Sequence, residues 1–453
     1  MNQTTPPVEE KNLFSSCSST RHFLLSKTNR FEHESRNQQP PFAGSDALLE
    51  IFPDMLSGPA FIEHSLSILD AAKAFGVITI RLDHGHPEND SATDEINPAR
   101  IIDTGKIIAR TSRQHNSIWG QLSNDTWGCF LPDADEAACT QWKRTLKADL
   151  AGQKLPGVTV GIALYPCNDF THSQIVDNAW KALHHATFFG PDSAAVFDAV
   201  SLNISGDQHY QEGDIRGAVS EFKNALALDP SNINVHNSLG VCYGVLGELE
   251  SALKEFETSL ALDPAEFMAA YNIGMTHQLL DNPESALEFF LRAGDMKPDV
   301  YEINLNTGHL LLQNGSAEKA MGFLEKAAQL EPGSGLAFRY LADGLKKLGR
   351  INEAIEAYKK AVKLHPYDAD SISALGWLFA KSGENLEIAT MFCRQATELA
   401  PDRGVFFQRL GRLYLKNNRT EEALVALENA DRLGQDSKDL IETIRGQQME
   451  EAS

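Results

Sequence analysis

Helical periodicity fills the C-terminal half of this chain. Between about residues 199 and 437, small and apolar residues recur three and four positions apart, in segments that each end shortly before a proline. The prolines lie at intervals of 34 residues, and the last at 35: Pro230, Pro264, Pro298, Pro332, Pro366 and Pro401. Because proline cannot continue a helix, this spacing predicts a repeated unit of two helices closed by a turn.

A small residue occupies a fixed position in the first helix of most units. The set comprises Gly240, Gly274, Gly308, Ala342, Gly376 and Gly411. A small side chain lets the second helix approach closely, and a single helix pair cannot bury its apolar face, so the pairs must stack. This pattern resembles the tetratricopeptide repeat (TPR). The resemblance implies an all-α superhelix, or α-solenoid, of seven repeats over 199–437, followed by a capping helix and tail over 438–453.

The N-terminal part follows other patterns. Residues 1–45 are polar, rich in Ser, Asn, Gln and Pro, and lack periodicity, so we expect a flexible tail. Over 46–198 the chain alternates helical and strand patterns, which predicts a compact α/β domain. It begins with an amphipathic helix over 59–75 and an apolar strand over 76–82. A helix over 98–113, a hairpin, a helix over 134–150, a strand over 158–165, a helix over 172–188 and a short strand follow.

Three segments of this α/β region are similar to a GGDEF domain. They read QLSNDTWGCFLPDAD at 121–135, VTVGIALYP at 158–166 and AWKALHHATFFGPDSAAVFD at 179–198. GGDEF domains form the fold of bacterial enzymes that condense two GTP molecules into cyclic di-GMP. The resemblance implies that 46–198 is a GGDEF-like α/β domain, and it locates the corresponding nucleotide site.

Aligning this α/β region with the GGDEF family places the residues of a degenerate nucleotide site in this sequence. They are Arg81, Asn89, Ser123, Asn124, Asp125 and Thr126. Both signature glycines, which let the backbone approach phosphate, are replaced by residues with side chains. Arg81 stands where the family has a metal-binding aspartate, and a guanidinium would repel divalent cations. The resemblance therefore implies lost cyclase activity, no catalytic residue, no metal and no cofactor, while Asn89 and Asp125 keep the family's residue types.

Composition narrows the class of partner. The chain has 40 Lys and Arg against 62 Asp and Glu, a formal charge of −22, which disfavours nucleic acid and membrane surfaces and favours basic or neutral partners. Six cysteines without CxxC spacing argue against a zinc site or a disulfide framework and fit a reducing compartment. With acidic residues at the N-terminus and no long apolar run, we expect a cytoplasmic bacterial protein.

The TPR resemblance also implies a partner-binding groove, because the first helix of each repeat lines the concave face in that family. The residues at the lining positions are Asn203, Asn237, Tyr271, Met275, Gln278, His309, Arg339, Lys346, Trp377, Gln408 and Arg412. Amides could bond an extended peptide backbone while the aromatic residues and Met275 bury side chains. The family's carboxylate-clamp pattern of Lys and Arg is only partly present, which disfavours a C-terminal carboxylate as the ligand.

Two hypotheses of different classes follow. The first is a non-catalytic scaffold or adaptor that binds protein or peptide partners in the TPR groove, with the GGDEF-like domain as a docking or dimerising module. The alternative is a sensor that binds GTP or cyclic di-GMP and signals to the repeats. An active cyclase ranks last, since Arg81 and Thr126 occupy metal-ligand positions. A homodimer and a nucleotide ligand stay open.

Overall fold

The computed structural model describes residues 46–83, 98–383 and 385–451, so the predicted tail over 1–45 lies outside the described residues. The described chain divides into two compact units, one ending at Pro264 and the other beginning at Ala265. No helix in the described ranges is long and apolar enough to cross a membrane.

The first unit opens with a mixed α/β region. Its helices are α1 (Asp46–Leu49), α2 (Gly58–Ile68), α3 (Pro98–Gln114), α4 (Glu136–Gly152) and α5 (His172–Thr187). Its strands are β1 (Phe75–Leu82), β2 (Ile118–Ser123), β3 (Thr126–Pro132), β4 (Val158–Tyr165) and β5 (Ala194–Val196). They form a five-stranded sheet in the order β2-β3-β1-β4-β5.

Strand β1 lies at the centre of the sheet and is almost wholly buried, which explains its continuous apolar run. It pairs antiparallel with β3 and with β4, whereas β4 and β5 run parallel. Alternate residues of β1 point to opposite faces of the sheet. Ile78 and Ile80 pack with Trp142 of α4 in one buried cluster, while Phe75 and Val77 pack with Phe61 of α2 in another. Helices therefore cover both faces of the sheet.

Helix α2 is shorter than its sequence pattern predicts. It ends at Ile68, and the predicted continuation to residue 75 is replaced by turns, in which the Ala72 N–H donates to the Leu69 carbonyl at 2.9 Å. The buried Leu69 turns inward to the cluster that holds Phe75. The chain thus leaves the helix early so that β1 can enter the sheet at Phe75.

Two helix pairs complete the first unit: α6 (Ala199–Gln211) with α7 (Ile215–Leu228), and α8 (Ile233–Leu246) with α9 (Leu249–Leu262). The Asp198 side chain caps α6 two residues after β5 ends. One buried cluster joins Phe75 and Phe130 of the sheet to Phe222 and Leu239 of the helix pairs. The packing is therefore continuous across residue 198, the predicted domain boundary.

The second unit consists of further helix pairs and a terminal helix. The pairs are α10 (Phe267–Leu279) with α11 (Pro283–Met296), α12 (Tyr301–Gln313) with α13 (Ala317–Leu330), α14 (Gly335–Lys347) with α15 (Ile351–Leu364), α16 (Ala369–Ser382) with α17 (Leu386–Leu399), and α18 (Gly404–Lys416) with α19 (Thr420–Arg432). Helix α20 (Lys438–Glu451) buries Ile441 and Ile444 in the cluster that contains Leu427 of α19.

The small residues of the first helices lie where the sequence pattern places them, against the second helices. A Cβ added at Gly274 would lie 2.7 Å from Cδ1 of Phe290, and one at Gly308 would lie 2.6 Å from Cγ of Leu324. Such distances are far below an ordinary van der Waals contact, so a larger residue would force the two helices apart. These positions set the spacing within each pair.

Candidate functional site

In the second unit, side chains join successive first helices to one another. Asn306 of α12 donates from Nδ2 to the hydroxyl of Tyr271 on α10 at 2.7 Å, and it lies 3.6 Å from Sδ of Met275. The rings of His309 on α12 and Tyr340 on α14 stack at 4.0 Å with an interplanar angle of 3°. The first helices therefore form a laterally connected layer of polar and aromatic side chains.

Arg339 continues this layer from α14 to α16. Its Nη1 lies 3.1 Å from Oδ1 of Asp368 and 3.4 Å from Oδ2 of Asp370. Burial lowers the pKa of Arg339, but the carboxylates of Asp368 and Asp370, together with Tyr340, outweigh that effect and raise it above its ordinary value. Arg403, which precedes α18, holds the other oxygen of Asp370 at 3.0 Å. The guanidinium of Arg339 thus stays charged and fixed.

Lys346 belongs to a separate triad with Asp343 and Tyr358. Its Nζ lies 2.5 Å from Oδ1 of Asp343 and 3.0 Å from the hydroxyl of Tyr358, which itself donates to Asp343 at 2.6 Å. Burial and then the charge of Asp343 raise the pKa of Tyr358. The phenol therefore keeps its proton, and the triad ties α14 to α15.

His309 is held neutral by its surroundings. Burial, and next the charge of Arg339, lowers the pKa of His309 from 6.5 to about 4. The Arg339 guanidinium lies 5.2 Å from the centre of the Tyr340 ring, against which His309 stacks. At neutral pH this imidazole offers one donor and one acceptor rather than a charge.

The candidates nearest the C-terminal end differ in exposure. Trp377 is partly buried, and Nζ of Lys381 lies 5.5 Å from the centre of its ring. Gln408 donates from Nε2 to the Asp436 carbonyl at 2.7 Å, where the chain enters α20. Arg412 is exposed on α18. Trp377 and Gln408 carry no charge, so among these three candidates Arg412 is the one that offers a ligand an exposed charge.

Several predicted groove residues present little surface. Asn237, Tyr271 and Met275 are 5%, 4% and 1% exposed, so each offers a ligand little surface. Asn203 and Gln278 are half-buried, and within the described residues their side-chain oxygens are buried without a hydrogen-bond partner. The side-chain oxygens of Asn203 and Gln278 could therefore still accept a hydrogen bond.

Sequence reasoning missed three residues that link the first helices: Asn306, Tyr340 and Arg409. Arg409 donates from Nη1 to Oγ of Ser373 on α16 at 2.9 Å. Each is the sixth residue of its first helix; Tyr340 and Arg409 directly follow the predicted residues Arg339 and Gln408, whereas Asn306 lies three positions before His309. Polar or aromatic residues recurring at this position were the signal that could have found them.

The sheet brings most of the predicted nucleotide-site residues together at one end. Arg81 lies opposite Thr126 of β3 and Thr159 of β4. The β2–β3 turn holds Asp125, whose carboxylate accepts hydrogen bonds from the hydroxyls of Ser123 and Thr126, each at 2.9 Å. Asn124 is exposed in this turn. The Asp125 carboxylate is thus engaged by its own neighbours.

The carboxylate of Asp83, the residue that follows β1, is hydrogen-bonded within the domain. Asp83 accepts from the Thr159 hydroxyl at 2.5 Å and from the Asp192 N–H at 2.6 Å, so both of its oxygens are occupied. Asn89 lies outside the described residues. Across the described ranges, no group of three or more His, Cys, Asp or Glu side chains is placed to hold a metal ion.

Two family models match the helical region. One, described as a TPR repeat, matches residues 206–244 and 342–383, and the other, described as a tetratricopeptide repeat, matches residues 280–335. Together with the helix pairs found at these positions, the matches show that the chain contains tetratricopeptide repeats in both of its compact units.

Solved structures of repeat proteins are similar to part of the chain. The crystal structure of YrrB, a TPR protein with an unusual peptide-binding site, is 20% identical; the match covers 44% of this chain and 97% of that one, with a TM-score of 0.38. A tetratricopeptide repeat protein from Parabacteroides merdae is 18% identical, over 54% and 96%, at 0.40. The structure of Pseudomonas aeruginosa pilF is 24% identical, over 45% and 92%, at 0.41. No curated protein matches this chain.

Proposed function

We propose that this protein is a non-catalytic scaffold or adaptor that binds partner proteins through the first helices of its repeats. The observation that carries the proposal is the connected layer on these helices, in which Asn306, Tyr340 and Arg339 join one helix to the next. Side chains fixed in this way lose little further entropy on binding, which favours recognition of an extended segment.

The proposal includes a division of the chain. We assign a tail to 1–45, a degenerate GGDEF-like domain to 46–198, seven repeats to 199–437, and a capping helix and tail to 438–453. The continuous core across residue 198 supports a stiff junction between the α/β region and the repeats.

A selection experiment tests the proposed function. A random peptide library displayed on phage is panned against the full-length protein, and enriched peptides are synthesised and titrated by calorimetry. Hydrogen exchange is then compared with and without the tightest peptide. We expect slower exchange in first-helix segments 301–313, 335–347 and 369–382, with little change in second-helix segments 351–364 and 386–399. Failure to enrich any peptide, or protection confined to the second helices or to 46–198, would contradict the proposal.

For the α/β region we propose a GGDEF-like domain without cyclase activity, serving docking or dimerisation. Support comes from Arg81 at a metal-ligand position and from the carboxylates of Asp83 and Asp125, which are engaged within the domain. Two-metal phosphoryl transfer needs carboxylates that hold the ions, and Arg81 and Thr126 stand at two of the positions where the resemblance places metal ligands.

Calorimetric titration distinguishes this role from the alternative, a nucleotide sensor. The full-length protein is titrated with GTP plus Mg²⁺ and, separately, with cyclic di-GMP, and the GTP mixture is then chromatographed. We expect no product. Heat of binding that disappears in Asn89→Ala would establish the sensor instead, and formation of cyclic di-GMP would overturn the loss of catalysis.

A further inference from the structure

Charge is distributed unevenly among the first helices. Helices α6, α8, α10 and α12 carry only two charged residues between them, both acidic: Asp207 and Glu302. In contrast, α14, α16 and α18 carry seven Lys and Arg against two Asp. The second helices of the same three pairs, α15, α17 and α19, carry five Lys and Arg against eight Asp and Glu. A net positive surface on the first helices thus stands out in a strongly acidic chain.

Pairing within the protein accounts for only part of this positive charge. The two acidic residues, Asp343 and Asp370, are bound by Lys346 and by Arg339. Five cations remain, and within the described residues none of them lies within salt-bridge distance of a carboxylate. They are Lys347, Lys381, Arg409, Arg412 and Lys416, and together we call them the basic inner surface. Nζ of Lys347 donates to the Leu312 carbonyl at 2.6 Å, a bond that leaves its charge unneutralised and two further N–H donors.

These cations are arranged in a regular way. Lys347, Lys381 and Lys416 follow one another at intervals of 34 and 35 residues, so they occupy the same position near the ends of three successive first helices. Arg409, Arg412 and Lys416 are three and four residues apart on α18 and therefore share one face. Arg409 contacts Ser373, which places that face beside α16. The repeat itself thus aligns the charges in a row.

The spacing of this row matches an extended chain. Packed helices lie about 10 Å apart. Three residues of a polyproline II segment cover about 9 Å and return to the same side of the chain. Carboxylates at every third residue of such a segment would therefore meet successive lysines. Lys381 also lies over the Trp377 ring, so apolar surface is available between the charges.

Resting on the proposed role of the first helices in partner binding, we propose that the basic inner surface binds an acidic, extended segment of a partner protein. Its ligands are side-chain carboxylates, and a C-terminal carboxylate is not required. The formal charge of −22 does not prevent this, because the Debye length at physiological salt is about 8 Å and distant charges are screened while adjacent ones are not. The local positive charge of the basic inner surface therefore determines this interaction, although the net negative charge of the chain favours basic or neutral partners at long range.

Fluorescence anisotropy with a synthetic probe tests the proposal on the full-length protein. The probe is a labelled, amidated peptide of about 15 residues with Glu at every third position, long enough to span the row at about 3 Å per residue. The test variant is Lys381→Glu with Lys416→Glu. The control is Lys363→Glu with Arg394→Glu, which changes net charge equally at exposed positions of the second helices α15 and α17. We expect the Kd to rise about tenfold or more in the test variant, an increase of about 1.4 kcal/mol, and less than about twofold in the control.

Two further peptides decide between the possible outcomes. Replacing every Glu of the probe by Gln should abolish binding, and leaving its C-terminus free should not change the Kd. Equal binding of the Gln peptide, or binding only with a free C-terminus, would overturn the proposal while leaving the scaffold function intact. The scaffold function itself is tested separately by the peptide library: it fails if no peptide is enriched, or if the enriched peptides leave exchange in the first helices unchanged. An equal loss in the test and control variants would likewise overturn the proposed surface.

Discussion

The imidazole of His309 lies flat against the ring of Tyr340, 4.0 Å away, in the layer that also holds Arg339. Burial disfavours the charged imidazolium and the charge of Arg339 adds to this effect, so the pKa of His309 falls to about 4 although Asp343 opposes the shift. In the unfolded chain the same imidazole titrates near 6.5. The unfolded state therefore binds the proton more readily between these two pH values.

This difference predicts a pH dependence of stability. The contribution of His309 is complete above pH 6.5 and is lost as the pH falls toward 4, at a cost of about 3 kcal/mol. Urea unfolding of the wild type and of His309→Asn at several pH values measures it, and the variant should lose less stability over this range. His365→Asn, at an exposed position of the same unit, serves as the control. Parallel pH profiles for the wild type and His309→Asn would refute the prediction.

Glycines in one helix pair provide a second comparison. A Cβ at Gly308 of α12 would meet Leu324 of α13 at 2.6 Å, whereas a Cβ at Gly322 of α13 would meet nothing within 4 Å. We expect Gly308→Ala to destabilise the protein by about 1–3 kcal/mol despite its better helix propensity. Gly322→Ala should stabilise it by about 0.5–1 kcal/mol. Chemical denaturation measures both, and equal effects would show that helix spacing does not depend on Gly308.

Among the helices, Arg339 fixes the start of α16 to α14. Its partner Asp368 is the N-cap residue of α16, and the two side chains are 22% and 19% exposed. Because the pair is largely shielded from water, its coupling should exceed that of a surface ion pair. A double-mutant cycle with Arg339→Met and Asp368→Asn should give a coupling energy of about 1–2 kcal/mol. The Asp368 side chain makes no capping bond to a backbone N–H and instead accepts from the Ser371 hydroxyl, so Asp368→Asn removes the charge without removing a cap. A coupling near zero would mean that Arg339 does not hold α16.

The sequence predicted the helical elements well because their signals are local. The prolines spaced by 34 residues and the glycines that face Phe290 and Leu324 follow from contacts within one pair. The strand over 158–165 was also predicted at its observed bounds. The end of α2 at Ile68 was not, because the apolar pattern continues through residues that turn inward to the core.

The links between neighbouring first helices depend on lateral placement, which local periodicity does not encode. Asn306 reaches Tyr271 across 35 positions and Arg409 reaches Ser373 across 36, so neither contact follows from a pattern within one helix. Of these four residues, Tyr271 was predicted as a groove residue and Arg409 directly follows the predicted Gln408. Sequence periodicity therefore singled out one partner of the Asn306–Tyr271 contact and neither partner of the Arg409–Ser373 contact.

At the scale of the whole first unit, the α/β sheet and the helix pairs share one buried core. Phe75 and Phe130 project from the sheet, and Phe222 and Leu239 project from the helix pairs, into a single buried cluster. The sequence predicted the apolar face of each element but could not show that these faces share a core. The consequence is that residues 46–264 should lose structure together, although they combine an α/β sheet with tetratricopeptide repeats.

Leu239→Ala tests this coupling, because Leu239 of α8 is 2% exposed within the cluster. The cavity should cost about 2–5 kcal/mol. Hydrogen exchange should then accelerate both in the segments of α6–α9 and in strands β1 and β4, since opening the shared core exposes both. Leu246→Ala removes the same side chain at a 39% exposed position of the same helix and should leave exchange nearly unchanged. If Leu239→Ala accelerates exchange in the helix pairs while the strands keep their protection, the sheet holds its structure independently, and the boundary at residue 198 separates two cooperative units.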